Sequence, residues 1–394
     1  MKINRSSKCY FDKWLTNKKK AELKEILKEY SRICNYFVWK YENDILAKSK
    51  FELCGAKYTN LCVIETGTFL TIGIISEALY EAYGAVQSAK SNAENRKDKR
   101  YFRPKFYGKK MTLSQRVQSH GVSQNTAFFD YNIILKGFRN DKGRGYKISI
   151  PLKKHVQFNK WYNLGRIANS VVITDKYVLF SFEIETGAKK TDGNEYGFDF
   201  GVKQLGALSD GRVIGGGIGI EGMVHDLQRK KRCSKAYYRK KEEIREYINR
   251  EVKNIDFPNT KLIVVERLKS MKYKMSEKEK GEDNSAKKKN RSVFYNVSYR
   301  QVLTRIQMLS EENRVTFRSI NPAYTSQECS QCGHIEEGNR PNRDLFLCKK
   351  CGYTANADYN ASKVILKRFT TGDCVPRCKQ ELKIDTNLDK VETS

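Results

Sequence analysis

The sequence has few histidines and no long apolar segment. Its four His residues, at 120, 155, 225 and 334, show no ligand-like spacing, which argues against sites built on several imidazoles, such as HExxH hydrolases or His-based nucleases. No run approaches the ~20 apolar residues of a membrane span. The opening stretch MKINRSSKCYFDKW also lacks the apolar core of a secretory signal. We therefore expect a cytoplasmic protein with no membrane partner.

Acidic residues are scarce relative to basic ones. The chain carries 45 Asp+Glu against 75 Lys+Arg, a formal net charge of +30 over 394 residues. A hydrophobic fraction of 39%, with 23 Tyr and 19 Phe, is too high for a disordered polycation, and the length indicates two to four domains. A folded chain with this charge favours nucleic acid as its partner, with ribosomal packing, anionic membrane surfaces and acidic proteins as the competing interpretations.

The eleven cysteines do not indicate a disulfide framework, because their number is odd and no signal peptide is visible. Four of them have the setting of small buried hydrophobic residues; these are Cys9, Cys34, Cys54 and Cys62. Cys374 and Cys378 have a poorer ligand spacing and are interpreted as free thiols.

Four other cysteines form two CxxC turns separated by fifteen residues, and a glycine follows each turn. They are Cys329, Cys332, Cys348 and Cys351. Two such turns can direct four thiolates at one ion, which predicts a closed, structural Zn²⁺ site with no open coordination position. Residues 344–348, between the turns, are predicted to form a short strand of a zinc ribbon.

Hydrophobic periodicity predicts helices over 18–47 and 69–89 and strands over 147–151, 170–174 and 177–186. The strands indicate an antiparallel β domain that is discontinuous in sequence, with helices inserted into it. Residues 269–292, which contain KEKGEDNSAKKKN, are predicted to be a disordered loop.

Basic residues are concentrated in three stretches. Residues 90–116 contain ten bases and two acids interleaved with aromatic residues, and residues 227–254 and 269–305 each contain eleven bases and four acids. Basic and aromatic residues mixed in this way suit phosphate contacts and base stacking, although a solvated charged loop would have the same composition. The basic residues near 226–254 are predicted to lie on one helix. Candidate nucleic-acid contacts are Arg103, Lys105, Tyr107, Lys230, Lys231, Arg232 and Arg239.

Three carboxylates lie where an unpaired charge is unexpected. Asp199 is predicted to lie in the middle of a strand, Glu266 ends a fully apolar strand, and Asp358 falls in the first turn of an amphipathic helix. Taken singly, a strand aspartate is more often a turn or salt-bridge residue, and Asp358 suits an N-terminal helix charge. Together they can hold two divalent ions for in-line phosphodiester cleavage, and oxygen ligands without histidine favour Mg²⁺ or Mn²⁺.

These motifs resemble those of the transposon-encoded TnpB family and of its descendants, the miniature type V CRISPR effectors. The resemblance is carried by Gly-Phe-Asp199-Phe-Gly-Val-Lys, Val-Val-Glu266-Arg-Leu, the two CxxC turns and Ala-Asp358-Tyr-Asn-Ala-Ser, in this order over residues 195–368. The N-terminal half agrees only in layout. This chain departs from the family pattern in its charged segment 269–292 and in Phe294-Tyr-Asn-Val, where a Trp-containing stretch is expected.

The resemblance implies an α/β multidomain protein. Residues 195–320 and 355–370 would form an RNase H-like (RuvC) nuclease core, with an inserted zinc ribbon at 321–354. Residues 1–16 and 140–194 would form a β-barrel-like wedge domain interrupted by a helical recognition domain at 17–139, and 371–394 a flexible tail. Asp199, Glu266 and Asp358 would be the catalytic acids and the ligands of two Mg²⁺ or Mn²⁺ ions.

The implied activity is RNA-guided cleavage of double-stranded DNA next to a short flanking motif. The cofactors would be structural Zn²⁺, the catalytic divalent ions and a guide RNA, and the partners that RNA and target DNA, in the cytoplasm of a prokaryote close to the nucleoid. A compact type V CRISPR effector or a non-cleaving RNA-guided repressor would share the scaffold, and a monomer or a homodimer on one RNA would fit equally.

Overall fold

The computed structural model describes residues 1–43, 56–95, 99–123, 128–140, 142–201, 204–216, 219–267 and 299–372. The chain divides into two compact units, Met1–Glu185 and a second that begins at Thr186. The predicted loop 269–292, nearly all of the predicted tail 371–394, and Cys54, Cys374 and Cys378 lie outside the described residues. Within the described ranges, no helix has both the length and the apolar character needed to cross a bilayer.

The first unit is built on antiparallel strands that turn alternate side chains toward one core. In β7, Val178, Phe180, Phe182 and Ile184 are buried and the residues between them are not, as the period-2 pattern predicts. One sheet has the order β1-β7-β6-β2 and the other β3-β4-β5. The strands are β1 (Lys2–Tyr10), β2 (Lys110–Ser114), β3 (Gln118–Val122), β4 (Tyr131–Arg139), β5 (Gly145–Leu152), β6 (Gly165–Thr174) and β7 (Tyr177–Glu185).

The helices of this unit are α1 (Asn17–Glu42), α2 (Ala56–Thr66), α3 (Ile72–Glu94) and α4 (Val156–Leu164). The predicted helices over 18–47 and 69–89 correspond to α1 and α3. Helix α1 begins where the Thr16 side chain accepts a hydrogen bond from the Lys19 amide, the usual way of satisfying a first-turn donor. Cys9, Cys34 and Cys62 are buried in the core of this unit, which confirms their interpretation as small hydrophobic residues.

Residues 17–139 were predicted to form a helical domain, but after α3 this range forms β-strands. Strand β2 pairs with β6, and β4 pairs with β3 and β5, so the second half of this range belongs to the sheets. The pattern that indicates a strand was present in β4, where Tyr131, Ile133 and Leu135 alternate toward the core.

The second unit contains a five-stranded mixed sheet in the order β10-β9-β8-β11-β12. Strands β8, β11 and β12 are parallel to one another, whereas β9 is antiparallel to both β8 and β10. Strand β11 is buried along almost all of its length, as its continuous apolar run predicts. The strands are β8 (Asn194–Asp199), β9 (Gly206–Leu208), β10 (Val213–Ile214), β11 (Thr260–Glu266) and β12 (Thr316–Ile320).

Helices cover both faces of this sheet. Helices α5 (Gly219–Gln228), α6 (Lys235–Glu251) and α7 (Tyr299–Glu312) supply apolar side chains that pack with Ile263 and Val265 of β11. Helix α8 (Ala357–Thr371) covers the other face, where Ile365 packs with Leu262 and Val264. A short antiparallel hairpin of β13 (Leu345–Leu347) and β14 (Thr354–Asn356) leads directly into α8.

The prediction of one basic helix near 226–254 was wrong, because two helices occupy this range. Ser234 is the N-cap of α6, with its side chain accepting a hydrogen bond from the Tyr237 amide. Cys233, immediately before it, adopts the left-handed conformation with φ of 63°, which an α-helix cannot contain. The residues Lys230, Lys231 and Arg232 therefore lie in the turn between α5 and α6.

Candidate functional site

Two of the candidate acids stand side by side at one edge of the mixed sheet. Strands β8 and β11 are parallel, and Phe198 lies opposite Val265 in their register. Asp199 and Glu266 are the last residues of these strands. The carboxyl ends of parallel strands are the usual position of ligand sites in open α/β sheets.

Asp199 ends its strand, which corrects the prediction that it lies in the middle. The chain turns immediately after it, where the Gly201 amide donates to the Leu205 carbonyl oxygen at 3.3 Å. Asp199 therefore lies at the sheet edge, where the residue as a whole is partly exposed and lines the same cavity as Glu266 and Asp358.

The third acid is brought to the same edge by α8. Asn356 is the N-cap of this helix, and its side-chain oxygen accepts hydrogen bonds from the amides of Asp358 and Tyr359 at 3.0 and 3.2 Å. Asp358 therefore lies in the first turn, as predicted. The three acids line one cavity of about 270 Å³. Its other lining residues are Phe200, Gly201, Pro322, Thr325, Ser326, Arg340, Arg343 and Ala361.

The electrostatics of the cavity disfavour three ionised carboxylates when no cation is present. Burial, followed by the neighbouring charges of Glu266 and Asp358, raises the pKa of the Asp199 carboxyl well above its ordinary value. Burial also raises the pKa of Glu266, against the opposing effects of the Thr325 hydroxyl and the Arg368 guanidinium. Neighbouring carboxylates repel one another when all are ionised. A divalent cation bound between them removes this repulsion and stabilises the ionised forms.

Asp199→Asn is expected to stabilise the metal-free protein at neutral pH. Because its pKa is raised, Asp199 keeps its proton in the folded state, whereas the unfolded chain releases this proton above about pH 4. The free energy of unfolding therefore decreases as the pH rises. We expect the substitution to increase the free energy of unfolding at pH 7.5 by about 1 kcal/mol, which is typical of single stabilising substitutions.

Chemical denaturation of both proteins in a chelator, at pH 4 and pH 7.5, measures this effect. The difference should be smaller at pH 4, where the unfolded chain still retains about half of the Asp199 proton, than at pH 7.5. A variant that is less stable than the wild type at pH 7.5 would contradict the assignment of charge repulsion to this cavity.

Two side chains that hydrogen-bond to the acids were not identified from the sequence. Arg340 Nη2 donates to Asp358 Oδ1 at 3.2 Å and to the Arg343 carbonyl oxygen at 2.7 Å. The Thr325 hydroxyl donates to Glu266 Oε1 and is 3% exposed. Both residues come from the segment around the cysteine turns, so this segment contacts two of the three acids. Thr325 lies four residues before Cys329, a proximity that could have drawn attention to it.

The four predicted cysteine ligands converge. Their Sγ atoms all lie within 4.8 Å of one another; the Cys329–Cys351 pair is 3.7 Å apart and the Cys332–Cys348 pair 3.6 Å. Sulfurs at tetrahedral positions, about 2.3 Å from a central zinc, are about 3.8 Å apart. The donor set and its spacing therefore fit Zn²⁺, with no position left for a substrate.

The two cysteine turns have the same backbone geometry. The amides of Gly333 and Gly352 donate to the carbonyl oxygens of Cys329 and Cys348 at 2.9 and 3.0 Å. Both glycines have positive φ, 75° and 72°, a conformation that side chains disfavour. Burial raises the pKa of Cys329 to about 12. For Cys348 burial acts in the same direction, but the backbone amides of Cys351 and Lys350 help lower its pKa to about 6. A metal ion favours the thiolate form of its cysteine ligands.

The candidate nucleic-acid contacts fall into two groups, one in each unit. In the first unit, Arg103 Nε pairs with Glu42 at 2.9 Å, whereas Lys105 is exposed and the Tyr107 side chain is 73% exposed. Neighbouring Phe106 is anchored to α1, because its amide donates to Asn35 Oδ1 and its carbonyl oxygen accepts from Asn35 Nδ2, both at 2.9 Å. In the second unit the exposed residues are Lys230, Lys231, Arg232 and Arg239.

Comparison with known proteins matches the C-terminal part of the chain to one family model and finds relatives that align over short segments. Residues 299–365 match the family model described as Cas12f1-like, TNB domain. A 70-residue segment is 46% identical to the CRISPR-associated endodeoxyribonuclease Cas12f1 of Sulfoacidibacillus thermotolerans, covering 18% of this chain and 17% of that protein. The TnpB-like protein aq_aa05 of Aquifex aeolicus (strain VF5) is 36% identical over 102 residues, 25% of this chain and 30% of that protein.

Two further similarities extend beyond this part. The putative RNA-guided DNA endonuclease InsQ of Escherichia coli (strain K12) is 30% identical over 283 residues, 63% of this chain and 67% of InsQ. The cryo-EM structure of a Cas12f1-sgRNA-target DNA complex contains a chain of the same fold, with a TM-score of 0.58 and 15% identity over 89% of this chain and 83% of that one. The alignment thus spans less than a third of the Cas12f1 and aq_aa05 proteins but two thirds of InsQ. On these similarities, which agree with the order of the sequence motifs, the chain belongs to the TnpB family.

Proposed function

We propose that the protein is an RNA-guided DNA endonuclease that binds a structured guide RNA and cleaves complementary double-stranded DNA next to a short flanking motif. The observation that carries the proposal is the convergence of Asp199, Glu266 and Asp358 in one cavity of a chain with a formal net charge of +30. The names of the relatives support it, since InsQ is a putative RNA-guided DNA endonuclease and Cas12f1 an endodeoxyribonuclease.

Asp199, Glu266 and Asp358 would hold two Mg²⁺ or Mn²⁺ ions, since hard cations of this kind prefer carboxylate oxygens. When bound, such a pair stabilises the attacking and leaving oxygens of an in-line displacement at phosphorus. The ends of β8 and β11 fix two of the carboxylates, and the Thr325 hydroxyl orients Glu266. The Arg340 guanidinium, beside Asp358, would bind a phosphate oxygen of the strand to be cut.

We assign residues 195–320 and 355–370 to a RuvC-like, RNase H-like nuclease domain with a zinc ribbon inserted at 321–354. The mixed sheet with helices on both faces and the β13–β14 hairpin beside the cysteines support this assignment. Residues 1–16 and 140–194 would form the wedge-like domain. Because β2, β3 and β4 pair within the sheets of the first unit, we place these strands with the wedge and α1 to α3 with the helical recognition domain.

The exposed basic residues would bind the phosphates of the guide RNA and the target DNA, and the exposed Tyr107 ring would stack on a base. The groups concerned are Arg103, Lys105 and Tyr107 in the first unit and Lys230, Lys231, Arg232 and Arg239 in the second. Three clustered carboxylates repel phosphates, so a nuclease of this type requires such positive flanks. The nucleic-acid partners would place the protein at the nucleoid of a prokaryotic cell, as a monomer or as a homodimer on one RNA.

Two alternatives share this scaffold. The 46% identity to a Cas12f1 favours a compact type V CRISPR effector as the second candidate, and a repeat array or a transposon end beside the gene would separate the two. A non-cleaving repressor is less well supported, since all three acids are present and line the same cavity.

Sequencing of the RNA that co-purifies with the full chain, expressed together with its genomic flanks, tests the proposal. We expect one discrete scaffold RNA with a variable end. DNA that matches the variable end, placed beside a library of flanking sequences, should then be cut in Mg²⁺. A mixture of ribosomal and messenger RNA with no enriched species would contradict guide binding.

A further inference from the structure

A buried polar cluster joins the first cysteine turn to the helix that carries Asp358. Its members are Glu328, which directly precedes Cys329, and Asn360 and Arg368 of α8; they are 9%, 0% and 8% exposed. We refer to these three side chains as the clasp. Buried polar groups are costly unless fully hydrogen-bonded, and each member of the clasp has specific partners.

Asn360 pairs with the backbone on either side of Cys329. Its Nδ2 donates to the Glu328 carbonyl oxygen at 2.7 Å, and its Oδ1 accepts from the Ser330 amide at 3.0 Å. Both groups of the amide are therefore satisfied by the chain that carries the cysteine ligand. An isosteric carboxylate or an aliphatic side chain could not make both hydrogen bonds.

Arg368 lies eight residues after Asn360, on the same face of the helix. Its Nε donates to Glu328 Oε2 at 2.8 Å, and its Nη2 contacts the same oxygen. Its Nη1 donates to the Ala323 carbonyl oxygen at 2.6 Å. The planar guanidinium thus fixes two points of the segment leading into the first cysteine turn, a geometry that an ammonium group cannot reproduce.

The residues tied together by the clasp are close to both candidate metal sites. Asp358 lies two residues before Asn360 on α8, and Thr325, which contacts Glu266, lies between Ala323 and Glu328 in the clasped segment. Any displacement of the Cys329 turn is therefore transmitted to the helix that holds one acid and to the hydroxyl that orients another. Partners of this kind, outside the ligand shell, typically change metal affinity 10–100-fold when they are removed.

We propose that the clasp couples the four-cysteine site to the carboxylate site, so that a metal ion in either site strengthens binding of the ion in the other. This proposal rests on the proposed function, because it takes Asp199, Glu266 and Asp358 as ligands of Mg²⁺. Asn360 and Arg368 act as positioning residues, because their side chains hydrogen-bond to the segment that leads into the Cys329 turn. Coupling of binding free energies is reciprocal, so it can be measured at the zinc site without any cleavage reaction.

The experiment is an equilibrium competition for zinc between the full chain and a zinc-selective chelator, with and without saturating Mg²⁺ at matched ionic strength. Mg²⁺ is the appropriate probe because it prefers oxygen ligands and does not compete for thiolates. We expect Mg²⁺ to lower the apparent zinc dissociation constant of the wild type by about fivefold or more, a typical coupling. In Asn360→Ala and Arg368→Lys, Mg²⁺ should leave this constant unchanged.

Direct Mg²⁺ binding by calorimetry provides the second readout. Both clasp variants should bind Mg²⁺ about tenfold more weakly, and Thr370→Ala, an exposed position on the same helix, should match the wild type in both measurements. Arg368→Lys keeps the buried positive charge and therefore decides the question if Asn360→Ala does not fold, which circular dichroism would reveal.

The outcomes separate failure of the coupling from failure of the proposed function. If Mg²⁺ binds the wild type and Asp199→Asn equally well, the carboxylate metal site is wrong and the coupling falls with it. If Asp199→Asn no longer binds Mg²⁺ but Mg²⁺ does not change the zinc affinity of the wild type, the proposed coupling is wrong. The assignment of the carboxylate metal site is then unaffected. Coupling of wild-type strength in Arg368→Lys would also overturn the role of the clasp.

Discussion

Asp199→Ala is expected to lower the rate of RNA-guided DNA cleavage by about 10³-fold or more, while RNA-dependent DNA binding stays within a few fold. The change removes a carboxylate from the cavity that Glu266 of the neighbouring strand and Asp358 of α8 also line. Loss of one carboxylate ligand of a metal-ion pair removes several kcal/mol of transition-state stabilisation. Each 1.4 kcal/mol of this stabilisation corresponds to about a factor of ten in rate. Binding is retained because base pairing and the basic surfaces supply it.

Single-turnover cleavage in Mg²⁺, together with a gel-shift assay using the same guide and target, measures the two quantities separately. Asp192→Ala is a suitable control, since Asp192 is an exposed acid on the chain leading into β8 and does not line the cavity. Cleavage at the wild-type rate by Asp199→Ala would refute the metal-site assignment. Loss of DNA binding alongside cleavage would instead point to a structural role for Asp199.

Cys348→Ser is expected to lose the zinc ion and to unfold the segment around the two cysteine turns. A serine hydroxyl does not replace a thiolate ligand for zinc, and a structural zinc site contributes its binding free energy directly to folding, on the order of 10 kcal/mol in small zinc modules. Because Arg340 lies between the two turns and contacts Asp358, the loss should extend to the cavity. We expect cleavage to fall at least about a hundredfold, in line with the loss of a preorganised charged group.

Metal analysis of the purified variant, combined with limited proteolysis, checks this prediction. The wild type should contain about one zinc per chain, as expected for a closed four-thiolate site, and Cys348→Ser much less, with new cleavage sites between residues 321 and 354. Cys233→Ser changes an exposed cysteine outside the cluster and should retain both zinc and protease resistance. Undiminished zinc in Cys348→Ser would exclude the four-cysteine site.

The parts of the site that could be predicted are those with strong local patterns. The continuous apolar run before Glu266 describes a buried strand whatever surrounds it, and the Asn356 cap followed by an amphipathic run defines the start of α8. The CxxC spacing predicts the geometry of the metal site, because a four-residue turn can direct its two thiolates toward one ion in only a few ways. Convergence of the acids was inferred from chemistry, and their shared cavity agrees with it.

The parts that escaped prediction depend on tertiary contacts. Arg340 has no periodic neighbours, and it reaches Asp358 only because the β13–β14 hairpin leads directly into α8. The clasp is equally hidden, since Glu328 and Arg368 are 40 residues apart in sequence and both are of types that normally stay exposed. The break between α5 and α6 did have a local signal, the Ser234 cap, but the surrounding run of basic residues obscured it.

Gly197 of β8 affects the position of the acids through packing rather than through a functional group. A Cβ atom at this position would overlap the carbonyl oxygen of Ser362 and come within 2.9 Å of the Leu366 amide nitrogen, so α8 lies directly on the strand backbone. The missing side chain therefore allows α8, which carries Asp358, to pack closely against the strand that ends in Asp199. A residue with no side chain thus helps to position two candidate metal ligands, although it carries no functional group itself.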